Sequence, residues 1–371
     1  MDNVSLREAV KDWMEDPVVA ERKWNGPIQS WDTSRVTDMK HLFFMCFNFN
    51  EDISSWDTSN VTNMEGMFYH AEGFNQPIGR WDVSQVTEMN YMFYHARAFN
   101  QPIGNWDVSH VGHMSNMFGI ARSFNQPLNR WDVSQVTDME WMFGGTYAFN
   151  QPLNGWDVSR VTNMQYMFYN ARSFNQPLSG WDVSRVTNMQ YMFGVARSFN
   201  QPLGGWDVSH VTEMQYMFYN ARSFNQPLNG WNVSQVTNMD HMFSGANVFN
   251  QPIQEWNPPP TVNTHSMFGR AYEFNQPIQR LVWLGFDERG GSSSVTELLF
   301  KHTLSSFVFL EFMGAFVSSP LPLSSATQVT KEEKMIWVDD LLGEVERNVY
   351  SIFLFAYVDR MYHDQIGRAH V

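Results

Sequence analysis

The side chains in this sequence that could do chemistry recur in columns 25 residues apart. One column is acidic, because aspartate follows tryptophan in eight successive repeats from Asp32 to Asp207. A row of carboxylates could bind a cationic partner or Ca²⁺. The alternative is an Asx turn onto the amide of the following Ser or Val, which the asparagines that end the column would make without charge. The acidic binding candidates are Asp132, Asp157, Asp182 and Asp207.

A second column is aromatic and lies between the two methionines of each repeat, which predicts that its side chains point outward. Exposed aromatic rings in a row could bind a glycan or a protein partner. The alternative is that the rings stack on one another and stabilise the fold. We rank this column first for partner binding, ahead of the acidic one. Its members are Tyr91, Trp141, Tyr166, Tyr191 and Tyr216.

A third column is basic and is compatible with a phosphate or sulfate site, with pairing to carboxylates, or with a solvated surface. It contains Arg97, Arg122, Arg172, Arg197 and Arg222. A fourth, of asparagine, is predicted to be buried and to bond backbone groups of its own and the next repeat.

The remaining candidates for catalysis are few. Of the 11 histidines, His110 and His210 share a column but lie four repeats apart, too far for one metal ion. The single cysteine, Cys46, excludes a cysteine-based zinc site and an internal disulfide. No phosphate-binding loop, dinucleotide fingerprint or nucleophile elbow occurs. We therefore expect no enzymatic activity, no cofactor and no metal.

Composition sets wider limits. The chain has 371 residues, 43% of them hydrophobic, and a formal net charge of −14. The apolar content argues against intrinsic disorder. The negative charge argues against binding to nucleic acid.

The repeat that generates these columns predicts the architecture. Tryptophan occurs ten times at intervals of 25 residues, from Trp31 to Trp256, and two phenylalanine columns keep the same period. A period of this length is typical of a solenoid, in which each repeat is one coil stacked on its neighbours. About ten coils are expected.

Within a coil, two spacings suggest local structure. Trp156 and Val158 are two residues apart, as on one face of a short strand. Met164 is followed by apolar residues at i+3 and i+4, as on one face of a helical turn, and Thr162 with Gln165 resembles a capping box. The prediction is an α/β repeat, each coil a short strand plus a helical turn.

The ends of the chain depart from the repeat. Residues 1–23 contain a helical apolar stripe behind a Ser5/Glu8 capping box, which predicts an N-terminal helical cap. The solenoid is predicted to span 24–279. Residues 280–371 form a non-repeat tail whose last seven residues are typical of a translated adapter sequence, so part of the tail is predicted to be artefactual. Charges within its apolar stretch argue against a membrane span.

The WDVSxVTxMxxMF core, the FNQPL segment and the LREAV stretch near the N-terminus resemble the BspA-like surface-protein repeats of the leucine-rich-repeat superfamily. The resemblance covers residues 5–279. It implies a leucine-rich-repeat-like solenoid and a non-catalytic role in recognition or adhesion, with a protein or glycan partner. It also implies the cell surface, whereas the N-terminal residues contain no signal peptide. The alternative is an intracellular scaffold or spacer without a specific ligand.

Overall fold

The computed structural model describes residues 1–277. The predicted tail, 280–371, and its predicted artefactual part lie outside the described residues, as do the last two residues of the predicted repeat domain.

Two helices begin the chain, α1 at Asn3–Glu15 and α2 at Pro17–Lys23. The N-cap of α1 is Asp2, whose side chain accepts from the backbone N–H of Ser5 while the Ser5 hydroxyl accepts from the N–H of Asp2. The capping box therefore lies three residues earlier than the predicted Ser5/Glu8 pair, because aspartate is an equally good N-cap.

Helix α1 covers the first coil of the repeat. It buries Leu6, Ala9, Val10 and Trp13, and the Trp13 ring packs edge-on against Trp31 with centroids 5.8 Å apart. At the exposed edge of this coil the side chain of Asn3 accepts hydrogen bonds from the backbone N–H groups of residues 37 and 38, at 2.9 and 3.2 Å. In later coils the corresponding N–H, for example that of Thr62, donates to a carbonyl of the coil before. The Asn3 side chain of α1 therefore supplies the acceptor that a preceding coil would supply.

The apolar columns form one continuous core, as their spacing predicts. Trp156 is 3% exposed, and its indole Nε1 donates to the Leu128 carbonyl of the previous coil at 3.0 Å. The same bond recurs between each tryptophan from Trp56 to Trp256 and the Ile or Leu 28 residues before it. The two phenylalanine columns stack within a coil at 3.9–4.2 Å between centroids.

Successive coils are joined in parallel and in register. Nine isolated bridges pair residues 25 apart, from Asp38 with Asn63 to Asn238 with Asn263. After each bridge, alternate N–H groups donate to the next coil: Met164 to the carbonyl of residue 188, and Tyr166 to that of residue 190, at 3.0 and 2.8 Å.

The intervening N–H groups close turns instead. Those of Met167, Tyr169 and Ala171 donate to the carbonyls three residues earlier, at 3.2, 2.9 and 3.0 Å. Tyr166 and Asn170 have positive φ, 56° and 54°, which a helix does not tolerate. The predicted helical turn is therefore a run of tight turns whose backbone also bonds the next coil.

Other local expectations change with it. Among residues 1–277, the one element beyond α1 and α2 is a 3-10 turn at Ile28–Ser30, so Trp156 and Val158 lie on an irregular segment rather than a strand. The Thr162/Gln165 capping box is also absent: the Gln165 N–H donates to the side chain of Asn163, at 3.1 Å. The core columns do not depend on these elements, because a three-residue turn repeat places the same side chains inward.

The asparagine column forms a ladder along the stack. The Asn150 side-chain oxygen accepts from the N–H of Asn175 at 2.9 Å and from the side chain of Gln176 at 3.1 Å. Equivalent bonds run from Asn50 to Asn275. The prediction that this column bonds the next coil is confirmed, although the ladder asparagines from Asn50 to Asn275 are partly exposed or exposed rather than buried.

Within the part of the chain that the structure describes, no helix has the length and apolarity to cross a membrane.

Candidate partner-binding face

The acidic column lies on the exposed surface, and its carboxylates are engaged in local turns. Asp157 accepts from the backbone N–H of Ser159 at 3.0 Å, and the same bond forms at Asp132, Asp182 and Asp207 at 3.0 Å each. Asn232 makes it without charge, at 3.1 Å from Ser234. The geometry is that of the Asx turn, the alternative to a binding role.

These turns also set the acidity of the carboxylates. Hydrogen bonds from the Ser159 side chain and backbone hold the pKa of Asp157 below its ordinary value, and those from Ser209 do the same for Asp207. Both groups are therefore charged at neutral pH and add negative charge to this surface.

The aromatic column forms a continuous stack on another side of the coils. Ring centroids lie 5.0 Å apart for Trp141 and Tyr166, 4.7 Å for Tyr166 and Tyr191, and 4.3 Å for Tyr191 and Tyr216, with planes within 24° of parallel. His241 continues the stack beyond Tyr216 at 4.8 Å. The inner rings are covered on both faces by their stacking neighbours.

Tyr91, the fifth aromatic candidate, lies outside this stack. The next coil has Asn116 in the same column, so no ring follows it. It contacts Tyr69 and Tyr94 instead, at 6.2 and 5.9 Å between centroids, in a smaller aromatic group nearer the N-terminus.

All ten positions of the aromatic column have left-handed backbone, with φ between 49° and 60°. Glycine and asparagine occupy such positions at least cost, and Gly66 and Asn116 do so in this column. A bulky ring at positive φ costs about 1–2 kcal/mol. Each stacked pair stabilises the fold by roughly 0.5–1.5 kcal/mol, in addition to the burial of ring area. The stacking contacts therefore offset part of the cost of the left-handed backbone.

Two further tyrosines widen the aromatic surface. Tyr169 packs edge-to-face against Tyr166 and Tyr191 at 5.5 and 5.6 Å, and Tyr219 does so against Tyr216 at 5.6 Å. In the column of Tyr169 the next residue is Gly194, where an added Cβ would lie 3.1 Å from the Tyr169 ring. Glycine there leaves room for the neighbouring rings.

The arginine column follows six residues after the aromatic one. Arg122 and Arg172, from the coils on either side of Tyr147, approach its ring centroid at 5.0 and 4.3 Å. Arg97 pairs with Glu72 at 3.4 Å, the carboxylate pairing that was one of the sequence-based alternatives. Together these rings and guanidinium groups form what we call the Tyr–Arg face, which comprises Trp141, Tyr147, Tyr166, Tyr169, Arg172, Tyr191, Arg197, Tyr216, Tyr219 and Arg222.

The hydroxyl of Tyr216 is held in its neutral form. Burial, and then the nearby Asp240 carboxylate, raise the pKa of Tyr216. The group therefore remains a hydrogen-bond donor at physiological pH.

A histidine–glutamate group that the sequence-based prediction overlooked lies nearer the N-terminus. His70 and His95 occupy one column in adjacent coils, and their rings stack with centroids 4.0 Å apart. Glu72 approaches His70, with 3.8 Å between Oε1 and Nδ1. Ligand atoms of the three residues lie within 4.8 Å of one another. The signal in the sequence is the 25-residue spacing of the two histidines.

A family model described as "Mycoplasma protein of unknown function, DUF285" matches the chain over residues 13–131, 103–206 and 197–284. The three overlapping matches follow the tandem repeat. Neither a curated protein nor a solved structure matches the chain.

Proposed function

The chain belongs to the DUF285 family of proteins of unknown function, a tandem-repeat family, and we propose that it is a non-catalytic recognition or adhesion module. In this proposal the repeat is a leucine-rich-repeat-like solenoid related to the BspA-like surface proteins. The inter-coil hydrogen bonds and the shared apolar columns support that assignment.

The observation that carries the proposal is the composition of the Tyr–Arg face. Tryptophan, tyrosine and arginine are the residues most enriched at the energetic hot spots of protein–protein interfaces. Here Trp, Tyr and Arg recur together on the same stretch of successive coils, whereas the Asp stretch carries exposed arginines such as Arg160 and Arg185 but, among the described residues, no exposed aromatic ring. The face therefore has the composition of a binding surface repeated along a line.

The ring geometry favours a protein over a glycan. A sugar packs on the face of an aromatic ring, and the faces of Tyr166 and Tyr191 are covered by their stacking neighbours. The tyrosine and arginine side chains of the face are partly exposed, and such side chains in a row suit an extended protein segment. The positive charge of the arginine row favours an acidic segment.

The proposal is tested by comparing two triple variants on an array of extracellular protein domains and glycans. Arg172→Gln, Arg197→Gln and Arg222→Gln together remove the positive row and leave the tyrosine stack in place. We expect this variant to lose the partner that the wild type binds. Asp157→Asn, Asp182→Asn and Asp207→Asn form the matched control, because Asn232 already makes the same turn.

Binding that survives the arginine variant and disappears with the aspartate variant would assign the interaction to the acidic column. A scaffold or spacer without a specific ligand is the second candidate. It is favoured by the Asp column, whose carboxylates already accept hydrogen bonds from their own turns. This second candidate predicts that the wild type and both variants bind nothing on the array.

A further inference from the structure

We propose that His70, Glu72 and His95 form a binding site for one zinc-like divalent transition-metal ion that links two adjacent coils. Two imidazole nitrogens and one carboxylate oxygen are a donor set that zinc accepts, with water as the fourth ligand. The set favours zinc over Mg²⁺ or Ca²⁺, which prefer oxygen ligands.

The positions of the three side chains support the site. His95 is 8% exposed, and His70 and Glu72 are partly buried, so the ligands are held within the surface rather than extended into solvent. The backbone beneath them is fixed, because the N–H groups of His70 and His95 each donate to the next coil at 2.7 Å.

Binding requires the three side chains to rearrange. Donor atoms of a tetrahedral zinc site, at 2.0–2.1 Å from the metal, lie roughly 3.4 Å from one another. The His70 Nδ1 to Glu72 Oε1 distance is already 3.8 Å. The two rings are stacked with planes 13° apart, so they must fan open for both lone pairs to meet one ion.

Arg97 is the charged neighbour that the site must accommodate. Its Nη1 lies 3.4 Å from Oε2 of Glu72, which leaves Oε1 directed toward His70. Arginine thus orients the carboxylate, as outer-shell groups do at metal sites, while its charge opposes the cation.

Backbone-compatible variants make the site testable. Asparagine occupies the column of His70 and His95 at Asn170 and Asn220, with φ of 54° and 52°. His70→Asn and His95→Asn should therefore keep the left-handed backbone. Glu72→Gln keeps the volume of the side chain, and His210→Asn is the matched control because it removes an exposed histidine elsewhere.

The experiment is a zinc titration of the metal-stripped full chain against a chromophoric chelator, with thermal melting in parallel. Wild type and His210→Asn should share one tightest site and show a rise in melting temperature with Zn²⁺ but not with Mg²⁺. Each of the three site variants should lose that rise. Their binding should weaken by more than the roughly 10–100-fold that loss of an outer-shell group costs.

Unchanged zinc affinity in all three site variants would overturn the proposal, as would a wild type without a zinc-dependent rise. If His95→Asn fails to fold, by far-ultraviolet circular dichroism, Glu72→Gln decides alone, because its partly exposed side chain is not part of the ring stacks. The site shares no residue with the Tyr–Arg face, so its failure leaves the proposed function untouched.

Discussion

Tryptophan shows how one residue type joins neighbouring coils. Trp156 fills the core with its ring and bonds the previous coil through its indole N–H. Loss of the ring leaves a cavity, and loss of the N–H leaves the Leu128 carbonyl without that donor.

We therefore expect Trp156→Ala to lower the free energy of unfolding by about 3–5 kcal/mol. Urea denaturation measures this directly. Trp156→Phe should lower the free energy of unfolding by less, because phenylalanine keeps most of the ring volume and loses only the hydrogen-bond donor. A loss below about 1 kcal/mol for Trp156→Ala would be incompatible with a buried ring.

The Asp column predicts acid sensitivity with a definite sign. Because the pKa values of Asp157 and Asp207 are lowered in the fold, the unfolded chain binds their protons first. Their contribution is complete above about pH 4, near the ordinary aspartate pKa, and is lost as pH falls through the lower folded values.

Replacing both residues by asparagine should remove part of this dependence. We expect Asp157→Asn with Asp207→Asn to be somewhat less stable than the wild type at pH 7 and to lose less stability than the wild type between about pH 4 and pH 2. Melting temperatures across that range provide the measurement. A double variant with the wild-type acid profile would show that these turns do not couple to pH.

At the scale of the elements, the turn run after each bridge is the feature that sequence spacing misassigned. Apolar residues at i, i+3 and i+4 suit a helix, but turns closed between residues three apart place the same side chains inward. The informative residues were Gly145, Asn170 and Gly245, which mark a left-handed position in a segment interpreted as helical. The core columns were predictable because burial depends on the period rather than on the backbone between them.

Val195 tests this backbone directly. It has φ of 58°, which a β-branched residue adopts at a cost, and its column neighbours in adjacent coils are asparagines. We expect Val195→Asn to raise the free energy of unfolding by about 1 kcal/mol and Asn220→Val to lower it by a similar amount.

The denaturant midpoints of the two variants, measured side by side, test whether Val195→Asn stabilises the fold and Asn220→Val destabilises it. A helical turn at 189–196 would give the opposite order, because valine is tolerated there and a strained left-handed position would not exist.

At the scale of the whole molecule, the regular repeat makes the columns of side chains predictable from the sequence but not the contacts between coils. The columns identified the Asp, aromatic and arginine rows before the structure, but not which of their groups are engaged. The Asx turns are local to one repeat, whereas the ring stack and the Arg–Tyr contacts depend on the offset between neighbouring coils, which no single repeat contains. The pairing of His70 with His95 is visible only when columns are compared across coils.

The central claim is that partners bind along the Tyr–Arg face, and amide hydrogen exchange of the complex with an array-identified partner tests it most directly. Peptides covering 166–172, 191–197 and 216–222 should gain protection on binding, whereas those covering 157–160, 182–185 and 207–210 should exchange as in the free chain. Protection confined to the second set, on the Asp column, would contradict the account.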